Sequence, residues 1–286
     1  MTCKPLTRHD LNAAVSFLSE YEHTCVALMS HLIHEGQPSM PPLKFPYWII
    51  TDAHSAVQGV LMISSTGLVL HCLPHASAAA FENDAILSEQ VRKLLSSHAL
   101  YCIMGSREGT EIVQKLYGKT VRCRREYELL VYSGTEYGGF EEISGSLSIK
   151  HCTEKDCGAL LPLQIEYDKV EVVPDGDSLN TAVCRQNLTR LLKTQEIYSI
   201  ITNSEFCAKA GTNAHGYNWV QIGGVYTDVK YRNKGFARLL VSYVAHSFHA
   251  RGKKVCLFVR TSNISAKKAY FKAGFIFDSL YSIVYY

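Results

Sequence analysis

Nowhere does the sequence run through about 18 consecutive apolar residues, so no membrane-spanning helix is expected. No CxxC pair occurs among its ten cysteines, which argues against a paired zinc site and against a thioredoxin-like motif. The polar start, MTCKPLTRHD, carries no secretory apolar segment. Several cysteines lie inside apolar runs such as ALYCIMG and KVCLFV, and the expectation is buried, reduced thiols in a cytoplasmic protein. A formal net charge of +3 is too small to call for nucleic acid or an anionic membrane. Neither the P-loop spacing nor the dinucleotide G-x-G-x-x-G is present. What remains is an ordinary globular composition, 47% apolar and 19% charged over 286 residues, comfortable for two domains.

Histidine groupings at His23, Cys25, His31 and His34, and at His71, Cys72 and His75, lack the spacing of a structural metal site, so no metal is expected. The sharpest change in composition is Ser133 to Ser146, SGTEYGGFEEISGS, which has nothing to form a core and reads as a linker. It divides the chain into residues 1–135, a linker at 136–146, and residues 147–286. Leu11 to Ile33 has helical spacing. FPYWIITD, AVQGVLMISS and GLVLHCL read as strands, followed by a helix over Asn83 to Ser97, a strand, a helix from Glu108 to Tyr117 and a strand. The second half repeats that order with little residue identity: helices over Cys157 to Asp168 and Thr181 to Thr194, then the strands IYSIITN, FCAKAGT and WVQIGGVYT.

After that third strand comes DVKYRNKGFARLL, a basic turn with a glycine that enters a helix. Phe236, Leu239, Leu240, Tyr243, Val244 and Phe248 share one face of this helix, with Arg238, Ser242, His246 and His249 elsewhere. Unpaired amides and the positive dipole end of a helix, approached through Gly235 and Ala237 and flanked by Arg232 and Lys234, suit a phosphate or pyrophosphate. A bare basic–glycine turn is equally a helix start with solvated cations. Two neighbours favour the anion site. Gly223-Gly224 inside the strand points to a bulge or a close backbone approach. Asn263 can cap a second helix, on which Tyr270 lies two turns further along much the same face.

On these residues the segment Tyr231 to Leu240 resembles the acyl-CoA motif of the GNAT superfamily of N-acetyltransferases, (Q/R)-x-x-G-x-(G/A), standing here as Arg232, Asn233, Lys234, Gly235, Phe236 and Ala237. A second signature, N-x-x-A-x-x-x-Y before a Gly-aromatic pair, stands as Asn263, Ala266, Tyr270, Gly274 and Phe275. The resemblance spans roughly Leu147 to Tyr286. It implies an α/β fold of two tandem GNAT-like domains, each a mixed, mostly antiparallel sheet with helices on both faces. Acetyl-CoA is implied as co-substrate and a small-molecule or peptide amine as acceptor. Backbone groups of Val225, Tyr226 and Thr227 are expected on the pantetheine arm, one amide polarising the thioester carbonyl. The turn from Arg232 to Ala237 is expected on the pyrophosphate, Asn263 on the cofactor arm, and Tyr270 as proton donor to the leaving thiolate.

No residue stands out as the base that deprotonates the amine. Asp228, Glu166, Tyr167, Asp168, Glu205 and the carboxylate of Tyr286 all come into question. Acids at Glu166, Asp168, Glu171, Asp175 and Asp177 suggest a cationic acceptor. The first half has no basic–glycine turn: PHASAAAFEND lacks cations, so that copy is expected to have lost the cofactor site. The alternative function is an acyl-CoA-binding regulatory module without turnover. Nucleic acid is not expected from the short run Lys230, Arg232, Lys234 and Arg238, nor is a membrane. A homodimer is compatible with this picture.

Overall fold

The computed structural model describes residues 1–34, 37–38, 46–74, 81, 83–134, 147–173 and 176–286. The expected linker at 136–146, together with His75 and Asp175, lies outside the described residues. Along the chain come β1 (Thr2–Pro5), α1 (Leu11–Glu20), α2 (Val26–Ser30), β2 (Ile33–His34), β3 (Gln37–Pro38), β4 (Tyr47–Thr51), β5 (Val57–Ile63) and β6 (Leu68–Cys72). Then follow α3 (Ala85–Ser96), β7 (Cys102–Ser106), α4 (Arg107–Tyr117), β8 (Cys123–Tyr132), β9 (Leu147–Cys152) and α5 (Cys157–Tyr167). A π turn over Asp168–Val172 leads to α6 (Thr181–Thr194), β10 (Ile197–Thr202), β11 (Glu205–His215) and β12 (Trp219–Thr227). The chain ends with α7 (Phe236–His249), β13 (Lys254–Arg260), α8 (Ile264–Lys272) and β14 (Phe275–Tyr285).

Two compact units result. One comprises Met1–Leu129, His215–Trp219 and Asp278–Tyr286; the other comprises Leu130–Ala214 and Val220–Phe277. In the first unit β1, β4, β5 and β6 pair antiparallel in sequence, and β7 runs parallel to β6. Next to β7 lies the end of the chain, with Tyr281 opposite Ser106 and Tyr285 opposite Cys102. This pairing explains why the last nine residues belong with the first half of the sequence, which a cut of the chain at the linker does not foresee. Apolar residues of α1 and α2 cover one face of that sheet, and those of α3 and α4 the other.

The expected helix over Leu11 to Ile33 is broken at Tyr21, and a short 3-10 turn over Glu22–Thr24 separates α1 from α2. The break turns Glu22 inwards, where its fully buried carboxylate accepts the backbone N–H groups of Asn218 at 3.0 Å and Trp219 at 3.3 Å. Gly216 has no room for a side chain there, because a Cβ would stand 2.1 Å from Glu22 Oε1. Glu22→Ala leaves those part-buried donors without this acceptor and opens space in the core. It is expected to cost the first unit about 2–4 kcal/mol, read as a lowered midpoint in urea unfolding.

The second unit has strand order β13, β12, β11, β10, β9, with β10 antiparallel to both β9 and β11. Here α5 and α6 pack on one face, and α7 and α8 on the other. The face foreseen for α7 does pack on the core, but the helix is buried more widely, for Val241, Ser242 and Ala245 are covered as well.

Both units begin with the same local device. Lys4, Thr7 and Asp10 recur as Lys150, Thr153 and Asp156, a K-x-x-T-x-x-D spacing. In each, one aspartate oxygen takes the lysine ammonium, at 2.8 and 2.6 Å, and the other takes the threonine N–H, at 3.0 and 2.9 Å. The charge and the reciprocal bonds fix the entry from strand to helix twice in one chain.

Candidate active site

The site of interest is built within the second unit. Its strand β12 carries the two glycines for two separate reasons. At Gly223 a Cβ would stand 1.9 Å from the Asn213 side chain, so the missing side chain admits that neighbour. Gly224 takes φ +62, a left-handed bend that glycine adopts without strain. Val225, Tyr226 and Thr227 follow this bend and are half-buried.

Asp228 caps a short 3-10 turn by accepting the N–H of Lys230 at 2.8 Å. Arg232 then folds back: its Nε donates to the Thr227 carbonyl at 3.2 Å and its guanidinium lies 5.6 Å over the Tyr226 ring. The ammonium of Lys234 lies 5.0 Å over the ring of Tyr231, which itself stacks on Phe236 with centroids 6.2 Å apart. Asn233 and Gly235 both adopt positive φ, at 64 and 77. Gly235 is the N-cap of α7 and offers no side chain to its first turn; a Cβ there would meet nothing within 4 Å. A helix start of this kind, with its amides forward, open space before them and two cations beside it, is a nest for an anion.

In the first unit the segment between β6 and α3 lies largely outside the described residues, and α3 is capped by a side chain of the chain itself. Asp84, the N-cap of α3, accepts the N–H of Leu87 at 2.9 Å. The buried His71 ring of this unit lies so close to Gly105 and Gly109 that a Cβ on either would fall within 2.6 Å of the imidazole.

Asn263 caps α8 by accepting the N–H of Ala266 at 3.0 Å. Tyr270 on that helix is buried, 6% exposed, and its hydroxyl has no hydrogen-bond partner among the described residues. Burial raises its pKa above the ordinary phenol value, reinforced by Tyr167 and Glu171, so it stays a neutral donor through the physiological range.

Several carboxylates of this unit already have partners. Glu166 pairs with Lys169 at 2.6 Å. Asp168 is buried and accepts from Gln164 Nε2 at 2.8 Å and Cys184 Sγ at 3.0 Å. Glu171 lies 2.9 Å from Arg260 Nε, whose guanidinium also donates to the Val170 carbonyl at 2.7 Å. Glu205 accepts from the Tyr231 hydroxyl at 2.7 Å, and Tyr286 belongs with the first unit. Within the acidic cluster Glu166 and Glu171 thus each have a cationic neighbour, Lys169 and Arg260.

Lys209 on β11 escaped the sequence reading, although a lone lysine inside the apolar run FCAKAGT was the available signal. It is 3% exposed, donates to the Gly224 carbonyl at 2.7 Å, and lies 4.5 Å over the Tyr167 ring. Among the described residues no group of three or more His, Cys, Asp and Glu side chains is placed to hold a metal ion. None of the ten cysteines forms a disulfide. No helix of the described residues is long and apolar enough to cross a membrane.

Comparison with known proteins converges on one architecture. The FR47-like protein family matches residues 201–282, which includes the glycine pair of β12, the basic turn and both signature helices. A Drosophila protein of solved structure covers 99% of this chain and 98% of its own at TM-score 0.65 and 11% identity. A tandem GNAT protein from the clavulanic acid biosynthesis pathway covers 99% and 97% at TM-score 0.60 and 10% identity. The chain has the GNAT fold. A GNAT-family acetyltransferase from Colwellia psychrerythraea matches over 100% of both chains at TM-score 0.54 and 12% identity. No curated protein matches the sequence. At such identities the likeness is one of GNAT fold, and the tandem neighbour agrees with two GNAT-like units in this chain.

Proposed function

We propose that the protein is an acetyl-CoA-dependent N-acetyltransferase whose second unit transfers an acetyl group to a primary amine. The observation that carries the reading is the glycine-capped start of α7, with left-handed Asn233 and Gly235 and open space before the amides. The residues present fit acetyl-CoA. The turn from Arg232 to Ala237 would hold the pyrophosphate, and the backbone of Val225, Tyr226 and Thr227, freed by the bend at Gly224, would pair with the pantetheine arm. When bound, acetyl-CoA supplies an activated acetyl thioester. The chain contributes orientation, fixed backbone dipoles that oppose charge on the carbonyl oxygen, and a proton held on the Tyr270 hydroxyl for the departing sulfur. Asn263, engaged as a helix cap, would set the α8 geometry that aims Tyr270.

Binding without turnover is the second reading, and the pairing with Arg260 of Glu171, the carboxylate that acts on Tyr270, favours it. One experiment separates the two: calorimetric titration of acetyl-CoA, followed by release of free CoA thiol in the presence of a panel of primary amines. Binding in the micromolar range with amine-dependent thiol release is expected. Binding with no release for any amine would favour the regulatory module, and no binding by folded protein would end both readings.

A further inference from the structure

A buried lysine is an expensive way to fill a strand. Taking an ammonium out of water costs several kcal/mol, and methionine would occupy the same space without that penalty. Lys209 is held by a specific set of groups: the Gly224 carbonyl of β12 at 2.7 Å and the Tyr167 ring of α5 at 4.5 Å. The charged and titratable groups that face it are Asp168 of the π turn, Cys184 of α6 and Cys152 of β9. Gly224 is shaped to admit it, since a Cβ at that position would stand 3.2 Å from Lys209 Nζ. Continuing α5 as a π turn brings Asp168 inwards as the buried counter-charge.

We propose that Lys209 is a positioning residue for acetyl transfer: by holding the carbonyl of Gly224 it sets the direction in which the backbone of Val225, Tyr226 and Thr227 faces the thioester carbonyl. This inference rests on the function proposed above. Burial pushes the Lys209 ammonium down to about 8, with Asp168, Cys184 and Cys152 opposing the shift. The clamp is therefore charged below that pH and neutral above it, and a neutral amine is the weaker donor.

The test uses acetyl-CoA and S-ethyl-CoA, a thioether that has the same arm but neither the carbonyl nor a titrating thiol. Both are titrated calorimetrically into wild type, Lys209→Arg and Lys209→Met between pH 7 and pH 9.5. At pH 7 Lys209→Met is expected to lose about tenfold in affinity for acetyl-CoA and less than about twofold for S-ethyl-CoA, with partial rescue by arginine. The wild-type preference for acetyl-CoA over S-ethyl-CoA is expected to fall as pH rises through about 8. In Lys209→Met the ratio should stay flat. A variant that matches wild type, or that loses both ligands equally, overturns the positioning role alone. Should the methionine variant fail to fold, a wild-type ratio that is flat from pH 7 to 9.5 overturns it equally. Failure of wild type to bind either ligand overturns the proposed function, and this inference with it.

Discussion

Replacing Gly235 by tryptophan is expected to remove CoA binding and to leave the protein folded. A Cβ at Gly235 meets nothing within 4 Å, so the substitution creates no clash with the chain. Its conformational cost comes from φ +77 and is about 1–2 kcal/mol. The indole would instead occupy the space beside the first turn of α7, where the pyrophosphate is proposed to bind. CoA affinity is expected to fall by at least about 100-fold, or roughly 2.8 kcal/mol. Gly235→Ala is the control. It carries the same backbone strain without the bulk, so a few-fold loss is expected, and the two variants together separate strain from occlusion. Equal calorimetric affinities for wild type and the tryptophan variant would place the ligand elsewhere.

Tyr270→Phe is the second substitution with a large effect, and it acts on rate. The hydroxyl has no partner among the described residues, so its removal leaves no orphaned donor or acceptor, and stability should be unchanged or slightly higher. If the hydroxyl delivers the proton to sulfur, kcat falls by about 10²–10⁴-fold while the dissociation constant for CoA changes less than about twofold. The pH dependence has a definite sign. A general acid works in its protonated form, and burial raises this one above the ordinary phenol value. No loss of activity on the alkaline side below about pH 10 is then attributable to Tyr270. A decline nearer pH 8 would track Lys209 instead. A phenylalanine variant with wild-type kcat would reduce Tyr270 to a core aromatic.

Local pattern made much of this site legible. The strand, basic turn and helix of the second unit follow their apolar spacing closely, and Asn263 and Tyr270 were found through their positions relative to one helix cap. What escaped was set by contacts distant in sequence. The burial of Lys209 depends on Gly224, fifteen residues on in the facing strand, and on Asp168 in a π turn that helical spacing does not announce. The break after Tyr21 answers amides near Asn218, some two hundred residues away. The pairing of Tyr281 with Ser106 joins the chain's end to its first unit through backbone bonds that any sequence could form. The repeated K-x-x-T-x-x-D device was legible and went unnoticed, because three polar residues contribute little to identity between halves. The lack of a basic–glycine turn in the first half is legible as missing cations, whereas the capping of α3 by Asp84 needed the fold.

The central claim is that the start of α7 holds the diphosphate of an acyl-CoA. Amide ¹H–¹⁵N spectra recorded as CoA is added test it most directly. The largest shifts are predicted at Gly235, Phe236 and Ala237, with a second group at Val225, Tyr226 and Thr227. Saturating CoA that leaves those amides unmoved, or moves only residues of the first unit, would contradict it.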